Sequence, residues 1–150
     1  MSDAQSAGGG TWNKPRPNID HDNAPFWEGL RRHKFLLWRC HTCGAAYWPK
    51  AYCRNHDNAP FAGNMAWEEA SGRGKLFAFN RYHVAFHPGF KSEIPYVYAL
   101  IELDEGPLVS STLVGGRQPK DVYDVGQRVE IVYEDHPTEG FTIPRFRIVD

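Results

Sequence analysis

Little in this sequence announces a function outright. Of 150 residues only three are cysteine and two are methionine. No apolar run approaches the roughly 18 residues that a membrane-crossing helix needs. There is no internal repeat. There is no glycine-rich phosphate cradle either, because Gly72-Arg73-Gly74 leads into a strand pattern rather than a helix. Neither sign of charge dominates: 17 Lys and Arg stand against 18 Asp and Glu, a formal net charge of -1. The molecule as a whole therefore has no electrostatic reason to seek nucleic acid or an anionic membrane. The first eleven residues are small and polar, without the apolar segment of a secretory signal, so a soluble, cytoplasmic protein is expected.

What is present is aromatic. Phe, Trp and Tyr make up 14% of the chain and apolar residues 41%, enough for a packed core despite a mean hydropathy of -0.56. The length fits one domain with a smaller appendage.

The three cysteines, Cys40, Cys43 and Cys53, all fall within fourteen residues. An odd number cannot all pair in a closed set of intramolecular disulfides, and a reducing compartment disfavours them anyway. With His56 they make the pattern C-x2-C-x9-C-x2-H. A two-residue spacing lets a tight turn aim both side chains at one ion, and Gly44 relieves the backbone directly after Cys43. The stretch Gly44 to Tyr52 is long enough for a hairpin that returns the second turn. Three thiolates and an imidazole form a closed tetrahedral set, the signature of structural zinc. Iron in the same site and a redox dithiol are the competing readings, and His41 and His33 are rivals of His56 for the fourth position. A redox C-x2-C opens a helix beside a βαβ unit, whereas Ala45 to Lys50 reads as hairpin with Pro49 against a helix interior.

Along the chain, residues 1–20 form a Gly/Ser/Pro/Asn-rich, mobile lead-in. A helix is expected over 21–36, from about Ala24 to His33. An Asp/Asn cap candidate precedes it, Pro25 lies in its first turn and Glu28 is its early carboxylate. The zinc ribbon follows over 37–65, with Trp38, Tyr47, Trp48 and Tyr52, more large rings than so small a ribbon can bury. Residues 66–150 read as strand after strand, with period-two alternation clearest in Tyr96–Leu103. A helical turn is expected within Pro119–Val125, and Pro144 marks the last strand as irregular. About five strands in some 80 residues fit a small closed barrel of OB type, with a sandwich as the alternative.

No independent catalytic set emerges. His83 and His87 lack a nearby cysteine or matched carboxylate, and His136 beside Glu134 and Asp135 reads as a solvated turn. Ser110, Ser111 and Thr112 lack the sharp turn of a nucleophile elbow. Single-stranded nucleic-acid binding is the alternative that an OB barrel suggests. However, residues 66–150 carry nine basic and thirteen acidic side chains, a poor funnel for phosphates.

The order of parts is specific. Ala24-Pro25-Phe26-Trp27-Glu28-Gly29-Leu30 runs into Trp38-Arg39-Cys40-x-x-Cys43-Gly44. Then follow Ser71-Gly72-Arg73-Gly74, His87-Pro88-Gly89-Phe90, Pro95 to Gly106 and Ile143-Pro144-Arg145-Phe146. Over roughly residues 15–148 this resembles a family of rubredoxin-like zinc-ribbon plus OB-fold proteins, an acyl-CoA-associated domain of unknown function. The resemblance implies a mainly β fold of N-terminal helix, zinc ribbon and OB barrel. It also implies a non-catalytic accessory subunit that docks on a thiolase-like enzyme (a thiolase, acyltransferase or steroid-CoA side-chain aldolase), forms a hetero-oligomer and helps shape the channel for the CoA thioester. In that family the second knuckle usually ends in cysteine, where this chain has His56. Arg145 and Arg147, alternating onto one strand face, are candidates for the CoA phosphates.

Overall fold

Ala24–Arg31 folds as the helix, α1, in a computed structural model that describes residues 12–56, 64–115 and 121–149. Pro25 occupies its first turn, and Phe26 and Leu30, one turn apart, point into the core. The start is organised differently from expectation. Asn23 is the N-cap residue but makes no side-chain cap, and the first turn carries no acidic residue, since Glu28 lies beyond it. Asp20 organises the approach instead, its Oδ1 accepting the N–H groups of Asp22 and Asn23 at 2.9 and 3.0 Å. At the other end the N–H of His33 bonds the Leu30 carbonyl and that of Lys34 the Gly29 carbonyl, both at 2.9 Å, which closes a Schellman motif. The left-handed position that glycine usually fills is held by His33 at φ 59°. Its ring stacks on Tyr133 at 4.7 Å and its Nε2 meets the Asp135 carboxylate at 2.9 Å, tying the helix end to the barrel.

Next comes a three-stranded antiparallel sheet. β1 (Leu36–Cys40) is central, flanked by β2 (Ala46–Tyr47) and β3 (Met65–Glu69). β3 aligns Cys40 with Met65 and Leu36 with Glu69. This strand therefore straddles the division expected between residues 65 and 66 and completes the ribbon's sheet rather than opening the barrel. Its alternation looks like that of any barrel strand; only its long-range partner distinguishes it.

The barrel is built from β4 (Arg73–Tyr82), β5 (Tyr96–Leu103), β6 (Leu108–Leu113), β7 (Arg128–His136) and β8 (Phe141–Ile148). Its order is β4-β5-β6-β8-β7, closed where β7 returns to β4 at Gly74↔Val129. The β6–β8 contact, Leu113↔Phe146, is parallel, and every other pairing is antiparallel. This is the expected OB-type barrel. The register slips between Leu76 and Ala78, two residues beyond the glycine pair that suggested a bulge, and leaves Phe77 half exposed. Within 121–125 no helix forms, and the rest of that expected turn lies outside the described residues. Here the chain runs along the open edge of β4, with the Arg81 guanidinium donating to the Asp121 carbonyl at 2.7 Å.

One core unites helix, sheet and barrel: Leu30, Phe35, Leu37, Leu76, Ile101, Val129 and Phe146 are all essentially buried. Of the lead-in expected to be mobile, residues 1–11 lie outside the described residues, and Trp12 to Arg16 are tied down. Trp12 packs edge-on against His136 (4.5 Å) and Phe141 (5.1 Å), Lys14 pairs with Glu93, and Arg16 pairs with Glu139. The strap runs so close that a Cβ on Gly89 would sit 2.2 Å from the Asn13 carbonyl oxygen, a position open only to glycine.

Candidate metal centre

Cys40 ends β1, and the turn after it is closed by two backbone bonds. The Cys40 N–H donates to the Ala45 carbonyl at 2.8 Å and the Gly44 N–H to the Cys40 carbonyl at 2.7 Å. Gly44 takes φ 81°, which glycine adopts without strain. The hairpin carries Cys53 and His56 back, and the donor atoms of Cys40, Cys43, Cys53 and His56 all lie within 4.8 Å of one another. The Sγ atoms of Cys43 and Cys53 are 3.5 Å apart. Cys40 is buried and Cys53 only 9% exposed. His56 Nε2 is buried with no hydrogen-bond partner, a costly arrangement unless something electrophilic meets it.

The surroundings favour thiolate at the first knuckle, Cys40 and Cys43. The Asn55 amide donates to Cys43 Sγ at 3.4 Å and, with the Ala45 N–H, lowers the Cys43 thiol to about 6. The Cys43 N–H holds Cys40 below the usual thiol range. Cys53 accepts from the Tyr47 hydroxyl at 3.5 Å, yet burial and the adjacent sulfurs push it up. The sulfurs of Cys43 and Cys40 raise His56. Anionic sulfurs this close repel one another until a cation sits among them, and three sulfurs with one imidazole can hold such an ion without leaving a position for water or substrate. The two rival histidines are engaged elsewhere, His41 with Glu68 at 2.6 Å and His33 with Asp135.

Several supporting groups gave no signal in the sequence. Tyr47 accepts the Arg54 N–H at 2.9 Å while serving Cys53, and Glu68 on β3 pairs with Arg39 Nε at 3.0 Å. They clamp the knuckles from outside, as metal sites require. Each is an ordinary strand residue until the pairing is known.

The two arginines do share the outer face of β8, but in different states. Arg145, 18% exposed, is held by Glu134 at 2.7 Å and donates to the Thr112 hydroxyl. Arg147, 60% exposed, pairs with Glu130 across the β7–β8 ladder. His136 is not the solvated residue expected: it bonds Glu134 at 2.6 Å beneath Trp12. His87 caps the short 3-10 turn Pro88–Phe90 by accepting the Gly89 N–H at 3.0 Å, and Ser110 to Thr112 lie within β6.

Burial pushes the Glu134 carboxyl up, but Arg145 and His136 outweigh it and hold its pKa below the usual range. A depressed folded-state pKa contributes stability above the unfolded pKa, which is lost as pH falls through the folded one. Glu134→Gln should therefore unfold at lower denaturant than the wild type at neutral pH. The gap should close as both are acidified below the ordinary carboxylate range. A gap that persists unchanged in acid would show that the charge plays no part.

Comparison with known proteins places these features. The profile described as "ChsH2, C-terminal OB-fold domain" matches residues 67–134. A solved structure described as "Ltp2-ChsH2(DUF35) aldolase" superposes with a TM-score of 0.72 at 31% identity, over 89% of this chain and 98% of that one. A "DUF35 domain-containing scaffold protein" of Methanocaldococcus jannaschii is 32% identical over 121 residues, 76% of this chain and 78% of that protein. A "Probable enoyl-CoA hydratase alpha subunit" of Thermomonospora curvata is 33% identical over 136 residues. The match takes in 89% of this chain but only 40% of that subunit's length. The fold is thus shared with that solved structure over most of this chain, and the chain belongs to the DUF35 family.

Proposed function

We propose that this protein is a non-catalytic accessory subunit of an acyl-CoA-processing complex. It docks on a thiolase-like catalytic subunit in the cytoplasm and contributes to the channel that receives the CoA thioester. The observation that carries this reading is the likeness, over 98% of that chain's length, to a chain solved as part of an Ltp2-ChsH2(DUF35) aldolase. The alpha-subunit name of the Thermomonospora relative, which mentions an enoyl-CoA, points the same way. Two features of the chain support it. The four donors form a closed set of the kind that structural sites use, and His87 and His136 are engaged by the Gly89 N–H and by Glu134.

In this reading Cys40, Cys43, Cys53 and His56 hold zinc, whose contribution is folding free energy rather than chemistry. Of the two arginines, Arg147 is the better placed for a CoA phosphate, because its side chain is largely exposed while Arg145 is mostly enclosed against Glu134. The purified chain alone, incubated with acyl-CoA thioesters, should release no free CoA thiol above the buffer rate. Turnover by the isolated chain would overturn the accessory role.

A further inference from the structure

At the joint between α1 and the ribbon lies a cleft of about 340 Å³ that the metal centre does not explain. Its walls are aromatic and come from three separate elements: Phe26 and Trp27 from α1, Trp48 from the turn after β2, and Trp67 from β3. Its lining is charged as well, with Asp20, Asp22 and Lys50.

A purely apolar groove would suit any greasy surface. This one pairs indole faces with two carboxylates, and indole faces attract cations through the negative face of the ring. Lys50 already demonstrates the chemistry within the molecule: its ammonium lies 3.5 Å from Asp22 Oδ1 and 4.6 Å from the centroid of Trp38. The rim keeps one carboxylate in excess of cations. Asp20 spends one oxygen on the N–H groups of Asp22 and Asn23, which fixes its side chain at the cleft's edge. A planar guanidinium stacks on indole and accepts a carboxylate in its plane, which a compact ammonium does less well.

We infer that the cleft is an anchor site for a basic side chain, arginine foremost, presented by the partner subunit. The partner's existence rests on the function proposed above; the preference of the cleft for a cation does not. Seated there, the arginine stacks on the tryptophans and meets Asp20 and Asp22, while Lys50 releases Asp22 and keeps its place over Trp38. Because Trp48 and Lys50 lie between the Cys43 and Cys53 knuckles, the anchor site exists only while the ribbon is folded. A partner that engages it would in effect read whether the metal is bound.

The test is an NMR titration of the full-length, metal-loaded, 15N-labelled chain with N-acetyl-arginine amide and its neutral isostere N-acetyl-citrulline amide. The indole N–H signals of Trp27, Trp48 and Trp67 should shift saturably with the arginine probe, while that of Trp12, packed on the barrel, stays still. The paired change Asp20→Asn with Asp22→Asn keeps the Asp20 oxygen that accepts backbone N–H groups and should weaken binding about fivefold or more. Lys50→Met, which removes the internal competitor, should tighten it. Equal response to arginine and citrulline, absence of a saturable shift, or binding indifferent to the two Asp→Asn changes would each overturn the anchor site. A complex lacking a thiolase-like partner would instead sink the functional reading, while the probe titration would still report on the cleft.

Discussion

Cys40→Ser is expected to lose the bound metal and the folded ribbon in a single step. Cys40 is 1% exposed, closes β1, and anchors the knuckle through its own N–H and carbonyl as well as its sulfur. The remaining sheet is small: β2 is two residues long, and β3 reaches the ribbon only by pairing with β1. Structural zinc contributes on the order of 10–16 kcal/mol in finger peptides, far beyond what such a sheet supplies alone. Metal content, followed with a chromophoric chelator, and the far-ultraviolet signal should fall together, and the variant should aggregate through Trp38 and Trp48. Chelating the wild type should reproduce the same state, with recovery on adding zinc. A soluble variant that is metal-free and keeps the native spectrum would refute the structural role of the site.

Phe35→Ala should be the costliest substitution away from the four-donor cluster, at about 3–5 kcal/mol. Phe35 is 1% exposed and precedes β1, where helix, ribbon and barrel converge. Its ring lies edge-on to Phe26 at 5.2 Å and 6.5 Å from Trp48, and its carbonyl accepts the Ala70 N–H at 2.8 Å just beyond β3. Removing the ring opens a cavity at the one place where the three parts share packing, and close-packed neighbours relax only partly into it. Equilibrium denaturation should show the loss as a lowered midpoint. A cost under about 1 kcal/mol would mean that helix and ribbon are held to the barrel by something other than this core.

Local rules made most of this architecture legible. Tyr96–Leu103 alternates strictly, and in the barrel Val97, Ala99, Ile101 and Leu103 point inward. Pro25 with Phe26 and Leu30 marked the helix, and two tight Cys/His spacings marked the knuckles that the fold brings together. Long-range pairing was not legible. Met65–Glu69 has the pattern of a barrel strand but pairs with β1, because sheet membership depends on partners about 30 residues away. The lead-in looked mobile because Pro15, Pro17 and the glycines carry no periodicity. What pins it is Trp12 on His136 and the fit of Asn13 against Gly89, tertiary contacts that no local window contains. His136 read as solvated for the same reason. The cleft was half visible: the ribbon's surplus of rings demanded a surface, but its location required the fold.

An accessory role in an acyl-CoA-processing complex, built on a zinc-held scaffold, is tested most directly by native mass spectrometry. The sample is the tagged chain purified under mild conditions from its own host, so that one spectrum reads bound metal and bound protein together. The expected spectrum shows the chain with one zinc ion, in a hetero-oligomer whose larger subunit is identified by its peptides as thiolase-like. The chain with zinc but alone, or carrying an oligonucleotide, would contradict it and point to a free-standing binding module.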